Sequence, residues 1–195
     1  MKKLTPIIAS VLLLVSGIAY ADREVEDYSE TIGMFKNNET ASPYFGSAHG
    51  YAIFPTIGKG GIGIGGAHGK GQVYTGGGVT GFTSLTQITI GFQLGGQAYS
   101  QVIFFESKSA FDDFTSGNFE FDAQASAIAI NASAQASTGT TGTTSSAGTG
   151  GDDAGKQAAA GYHKGMLIFV IGKGGLMYEA TIGGQKFKYE AVGAG

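Results

Sequence analysis

Lysines flanked by glycine are the residues of this chain best placed to do chemistry. Gly58-Lys59-Gly60-Gly61 and Gly172-Lys173-Gly174-Gly175 each set an ammonium group beside backbone that is free to turn. Successive backbone N–H groups in a glycine turn form concave nests that hold anions. Two such loops on one rim would hold a phosphate between them; as ordinary turns, each would only expose a solvated lysine. Lys70 and Lys164 also adjoin glycine and extend the set. The candidate anion-binding residues are therefore Lys59, Gly60, Gly61, Lys70, Lys164, Lys173 and Gly174.

Other chemistries find no support. Gly61-x-Gly63-x-x-Gly66 matches the dinucleotide fingerprint, but that motif needs a helix after it and an acid about 20 residues on. Here the following residues stay glycine-rich, and no Asp or Glu stands between Thr40 and Phe105. Neither Gly-Lys-Gly run has the Walker spacing or the Ser/Thr after lysine. His49, His68 and His163 show no paired ligand spacing, so no metal is expected. No G-x-S-x-G elbow occurs, and Asp112-Asp113 and Asp152-Asp153 are adjacent pairs that cannot flank a substrate. The expectation is a protein that is not an enzyme and carries no cofactor.

Composition narrows the class. Of 195 residues, 35 are Gly, 3 Pro and none Cys or Trp, and only 14% are charged. Aromatics at 11% argue against disorder, and glycine without a three-residue period excludes collagen. Without cysteine there is no disulfide scaffold, thiolate metal site or lipid-modified N-terminal cysteine. Residues 22–39 carry −4 and 106–155 carry −6, against +2 over 40–105 and +3 over 156–195. The two basic segments either solvate a sheet face or meet as an anion-binding surface. No segment is basic enough for nucleic acid.

The elements that must position these residues can be read in order. Lys2 and Lys3, the apolar run Ile7–Ile18 and Ala19-Tyr20-Ala21 fit a secretory signal cleaved after Ala21. Cleavage would leave 22–195 as a single domain, net −5, periplasmic or secreted. Val25, Tyr28, Ile32 and Phe35 share one face of a helix expected over 22–38. From Tyr51 onward alternation and glycine turns predict strands. Over Gln87–Gln97, Ile88, Ile90, Phe92 and Leu94 point one way and Gln87, Thr89, Gln93 and Gln97 the other. Val102–Phe105 and Met166–Ile171 read as buried strands, Ser107–Ser116 as a short helix, and Phe119–Asn131 as an alternating strand. Residues 137–155 are low-complexity and read as a loop. Gly183-Gly184 predicts a hairpin turn that sets Tyr178 beside Tyr189, Ala180 beside Phe187 and Glu179 beside Lys188. The fold expected is α+β, mostly β: a curved antiparallel sheet or barrel-like domain with two packed helices.

Several of these runs together resemble the SYLF domain. They are Gly50-Tyr51-Ala52-Ile53-Phe54-Pro55, Gly58-Lys59-Gly60-Gly61, Gly65-Gly66-Ala67-x-Gly69-x-Gly71-x-Val73-Tyr74, Gly91-x-Gln93-x-Gly95-Gly96-Gln97, Val102-Ile103-Phe104-Phe105-Glu106, Lys164-Gly165-Met166 and Gly174-Gly175-Leu176-Met177-Tyr178. The resemblance implies a lipid-binding module, and eukaryotic members also bind phosphoinositides and actin. The secretory signal, the lack of an SH3 or FYVE module and the acidic N-terminal helix set this chain beside the exported bacterial branch and argue against an actin partner. The implied function is non-enzymatic binding of phospholipid head groups at an envelope membrane. The rival class is a structural outer-membrane or surface-assembly β protein, whose strands would alternate in the same way.

Overall fold

Alternating side chains make most of this chain extended, and glycine lets the strands curl. The computed structural model describes residues 24–62, 64–90, 96–122, 125, 127–130, 162–173 and 182–193. Its strands are β1 Gly50–Ile62, β2 Ile64–Thr75, β3 Gly78–Ile90, β4 Gln97–Phe105, β5 Phe119–Glu120, β6 Ile128–Ile130, β7 Met166–Lys173 and β8 Lys186–Ala191. The helices are α1 Ser29–Lys36, α2 Tyr44–Ser47 and α3 Lys108–Thr115. One sheet runs in the order β5-β8-β3-β2-β1-β4-β7-β6. All its pairs are antiparallel except β6 with β7. It curls into a half-barrel, so the expected mostly-β, curved antiparallel architecture with packed helices is the one formed.

Local chemistry explains the joints. Gly76 and Gly77 link β2 to β3 with φ of +59° and +84°, the two positive values a tight hairpin turn demands. Pro55 has no N–H for the ladder, and the β1 register shifts beside it on both flanks, between Ile53 and Thr56 against β2 and between Phe54 and Ile57 against β4. The Ser100 hydroxyl donates to the Pro55 carbonyl at 2.7 Å and secures the bulge.

The sheet has two different faces. On the inner face Phe54, Ile57, Leu85, Ile103, Phe105 and Phe187 pack with Ala110 and Phe114 of α3. Ser107 caps α3 by accepting the Ala110 N–H. Deeper along this face Gln101 and Gln185 exchange amide hydrogen bonds at 3.1 and 3.3 Å, and Gln185 also donates to the Tyr99 hydroxyl. These bonds tie the 182–185 turn to the sheet while satisfying buried polar groups. On the outer face α1 and α2 cover one end, laying Phe35, Tyr44 and Phe45 over Ile53, Val102, Phe104 and Phe169. Phe45 meets Phe104 edge-on at 4.9 Å.

Several expectations need correction. The N-terminal helix starts at Ser29, not Asp22, because the Asp27 carboxylate accepts the Ser29 N–H at 2.9 Å and opens the helix there. The strand expected over Phe119–Asn131 is broken after Glu120. Phe121 instead pairs with the Gly184–Gln185 backbone, and 128–130 joins β7 in parallel. Gly183-Gly184 does form a turn, but Phe187 has Leu85 on one side and Phe119 on the other. Tyr178, Glu179 and Ala180 lie outside the described residues, as do the expected signal segment and the 137–155 loop.

Candidate functional site

Register decides which lysines share a surface. Directly opposed residues of a sheet project to one face, and successive residues of a strand to opposite faces. One row crosses the sheet as Glu120, Lys186, Thr86, His68, Gly58, Ala98 and Lys173. The next row of the same parity is Lys188, Ser84, Lys70 and Thr56. Both belong to the outer face, since the alternate residues Phe187, Leu85, Ile57 and Val170 fill the inner core. The helices cover only the far end of that face. Lys70, Lys173, Lys186, Lys188 and His68 are accordingly exposed.

The band is held in place. Lys173 Nζ donates to Thr56 Oγ1 at 2.8 Å, which draws the β7 lysine across β4 toward the Lys70 row. Lys186 is shared with Glu120 at 3.4 Å across the β5 edge, and Glu190 lies on the same face one row beyond Lys188. Among the described residues, Lys70 and Lys173 form no ion pair with a carboxylate. Strand glycines such as Gly58 keep the surface between the lysines low.

Not all of the sequence candidates gather here. Lys70 and Lys173 do. Lys59 lies opposite Ala67 and Gln97, in the row that contains buried Gln87, and so projects to the inner face. The cause is the bulge at Pro55. Ile53 is on the outer face, and six residues of unbroken strand would return Lys59 to it, but the extra residue reverses the parity. Gly60 and Gly61 are paired with Gly66 and Gly65 inside β1. Extended backbone does not make the concave turn a nest requires, so the turn expected at 58–61 is corrected to strand. Lys164 sits in the turn before β7, whose first residue, Met166, is already about 23 Å from Lys173 along the strand. It bonds one Asp122 oxygen at 2.5 Å while His163 Nε2 holds the other at 2.9 Å. This cluster pins the segment after β5 to the start of β7. Gly174 lies outside the described residues.

Sequence reading left out Lys186 and assigned Lys188 to a pair with Glu179, which lies outside the described residues. The alternation Lys186-Phe187-Lys188-Tyr189 already put both on a polar face; their neighbours emerge only from the β8–β3 pairing. The three histidines stand apart: His68 in the band, His163 on Asp122, and His49 edge-on to Phe111 at 5.7 Å. Among the described residues no group of three or more metal-ligating side chains converges.

Residues 86–188 match the family model Ysc84, described as "Las17-binding protein actin regulator". The chain is also similar to Beta cell expansion factor A of Aeromonas veronii, 27% identical over 165 residues. That alignment covers 80% of this chain and 51% of the relative, so the chain spans about half the length of the curated relative it matches.

Proposed function

The chain belongs to the Ysc84 (SYLF) family, and on that premise we propose that it binds the head groups of anionic phospholipids at a membrane surface, without catalysis. The family is known for actin- and lipid-binding roles. Within that range, the observation carrying the lipid reading is the convergence of Lys70, Lys173, Lys186 and Lys188 on one sheet face, where each is exposed among the described residues. Each lysine near an anionic bilayer contributes about 1 kcal/mol, within a Debye length of the surface. The short range matters because the whole domain is acidic. Attraction must therefore come from the local patch and not from net charge. Lysines drawn from several strands suit the many phosphates of a bilayer surface better than one small ligand.

We place this activity in the cell envelope, periplasmic or secreted, on the strength of the signal pattern at 1–21. Co-sedimentation of the full chain with vesicles tests the proposal. Binding to phosphatidylglycerol vesicles at low salt, lost at high salt and absent with phosphatidylcholine, is the expected result. Equal absence from both vesicle types would overturn it. Filamentous actin belongs in the same series, and the protein is expected to stay in the supernatant.

A further inference from the structure

Beyond the lysine band, the polarity of the sheet is inverted. Gln87 is 2% exposed on the inner face, where its Nε2 donates to the Gly183 carbonyl at 2.9 Å, whereas its neighbour Ile88 is 76% exposed on the outer face. A strand end packed on a core would show the reverse. Ile88 shares its row with Gly66 and Gly60, so it stands above a strip without side chains. From the helix-covered end outward, the rows thus pass through an aromatic layer, two lysine rows and a glycine row bearing Ile88.

We propose that this end of β1, β2 and β3 is a membrane-inserting tip, with the lysine band as its collar. Successive rows are about 7 Å apart along the strands. The head-group layer of one leaflet is about 5–7 Å deep. With Lys186, His68 and Lys173 level with the phosphates, Ile88 reaches the acyl boundary. Polar-inside, apolar-outside alternation is the pattern of strands that face lipid. Long lysine stems allow the ammonium groups to stay at the phosphates while the strand end descends. The occupant is an anionic bilayer, because exposed Ile88 and the cationic collar meet on one face and only an interface offers both chemistries in that order. The inference rests on the lipid-binding reading and deepens it by fixing depth and orientation.

Because the chain has no tryptophan, Ile88→Trp supplies a single indole that can be excited selectively over the tyrosines. Val192→Trp serves as control: Val192 is also exposed, and its N–H bonds the Thr80 carbonyl at the opposite end of β3. Both full-length variants are mixed with phosphatidylglycerol vesicles, with and without bromine in the acyl chains. Emission of the Ile88→Trp variant is expected to shift to the blue and be quenched by the brominated lipid, while that of Val192→Trp stays unmoved. Ile88→Asp should lower vesicle affinity about tenfold or more. Vesicle binding by Ile88→Trp with no spectral shift would overturn the tip and leave head-group binding standing; no binding by the wild-type chain would overturn both. An Ile88→Trp emission already blue-shifted without lipid and unchanged by it would show that the chain or a second copy covers the tip, and would also overturn the proposal.

Discussion

Lys173 and Thr56 are 117 residues apart in sequence, yet the lysine Nζ donates to the threonine Oγ1 at 2.8 Å. That bond joins the two basic parts of the chain. Thr56 is the register partner of Lys70, so a lysine from β7 leans toward one from β2 across two intervening strands. Like charges gathered this way repel each other, and the arrangement gains most when an anion lies over it.

Glycine spacing within the sheet predicts sharply different costs for the same substitution. A Cβ at Gly71 would collide with the Ile53 carbonyl oxygen and lie 2.8 Å from the Phe54 ring. Backbone cannot retreat from it cheaply. Gly71→Ala is therefore expected to cost about 1–3 kcal/mol. At Gly58 nothing lies within 4 Å of the added carbon, and Gly58→Ala should stay within about 0.5 kcal/mol. Urea denaturation of the two variants checks the contrast.

The buried amide pair gives a non-additive signature. Gln101→Leu leaves the buried Gln185 carbonyl oxygen without its donor, although the amide N–H keeps the Tyr99 hydroxyl, and Gln185→Leu leaves the whole Gln101 amide unsatisfied; each costs about 1–3 kcal/mol. Removing both abolishes that penalty, so the double variant should lose less than the sum of the singles by about 1 kcal/mol or more. A double-mutant cycle on unfolding free energies reads this directly, and strict additivity would contradict it.

Stability should decline at alkaline pH. Burial, reinforced by Glu26 beside Tyr28 and by Tyr51 and Tyr28 beside Tyr74, raises both phenols from the ordinary 10.0 to about 12. The folded state thus holds these protons more tightly than the unfolded chain does. Their contribution is complete below pH 10 and lost as pH rises toward about 12. Melting temperatures across that interval should fall more steeply for the wild type than for Tyr28→Phe/Tyr74→Phe.

Alternation revealed the sheet because it is a local property. Phe187 and Tyr189 against Lys186 and Lys188 needs only four residues to read, and Ser107 announces α3 by itself. The collar was only half legible, because it depends on which strands become neighbours. Lys70 and Lys173 were named one by one, but their meeting requires β2, β1, β4 and β7 to lie side by side. Lys59 shows how a single residue decides a face. Its glycine setting is the same as that of Lys173, and only the bulge beside Pro55 turns it inward. A proline inside a strand pattern does signal a bulge; the parity of the residues beyond it is then reversed. Ile88 illustrates the opposite difficulty. Alternation showed only that its side differs from that of Gln87, and the structure puts Ile88 in solvent and Gln87 in the core.

Charge reversal on the two sides of the sheet tests the central claim most directly. Lys70→Glu/Lys173→Glu alters the outer face, and Lys59→Glu with Lys164→Glu places the same charge change on the inner face and at the Asp122 cluster. Co-sedimentation with phosphatidylglycerol vesicles at low salt compares the two pairs at equal net charge, with circular dichroism confirming that both fold. The outer-face pair is expected to weaken binding about 30-fold or more, at about 1 kcal/mol for each lysine lost and further repulsion from each glutamate. The other pair should change it by no more than about twofold to threefold. Equal losses from both pairs, or wild-type binding by Lys70→Glu/Lys173→Glu, would contradict the assignment of the membrane surface to this face.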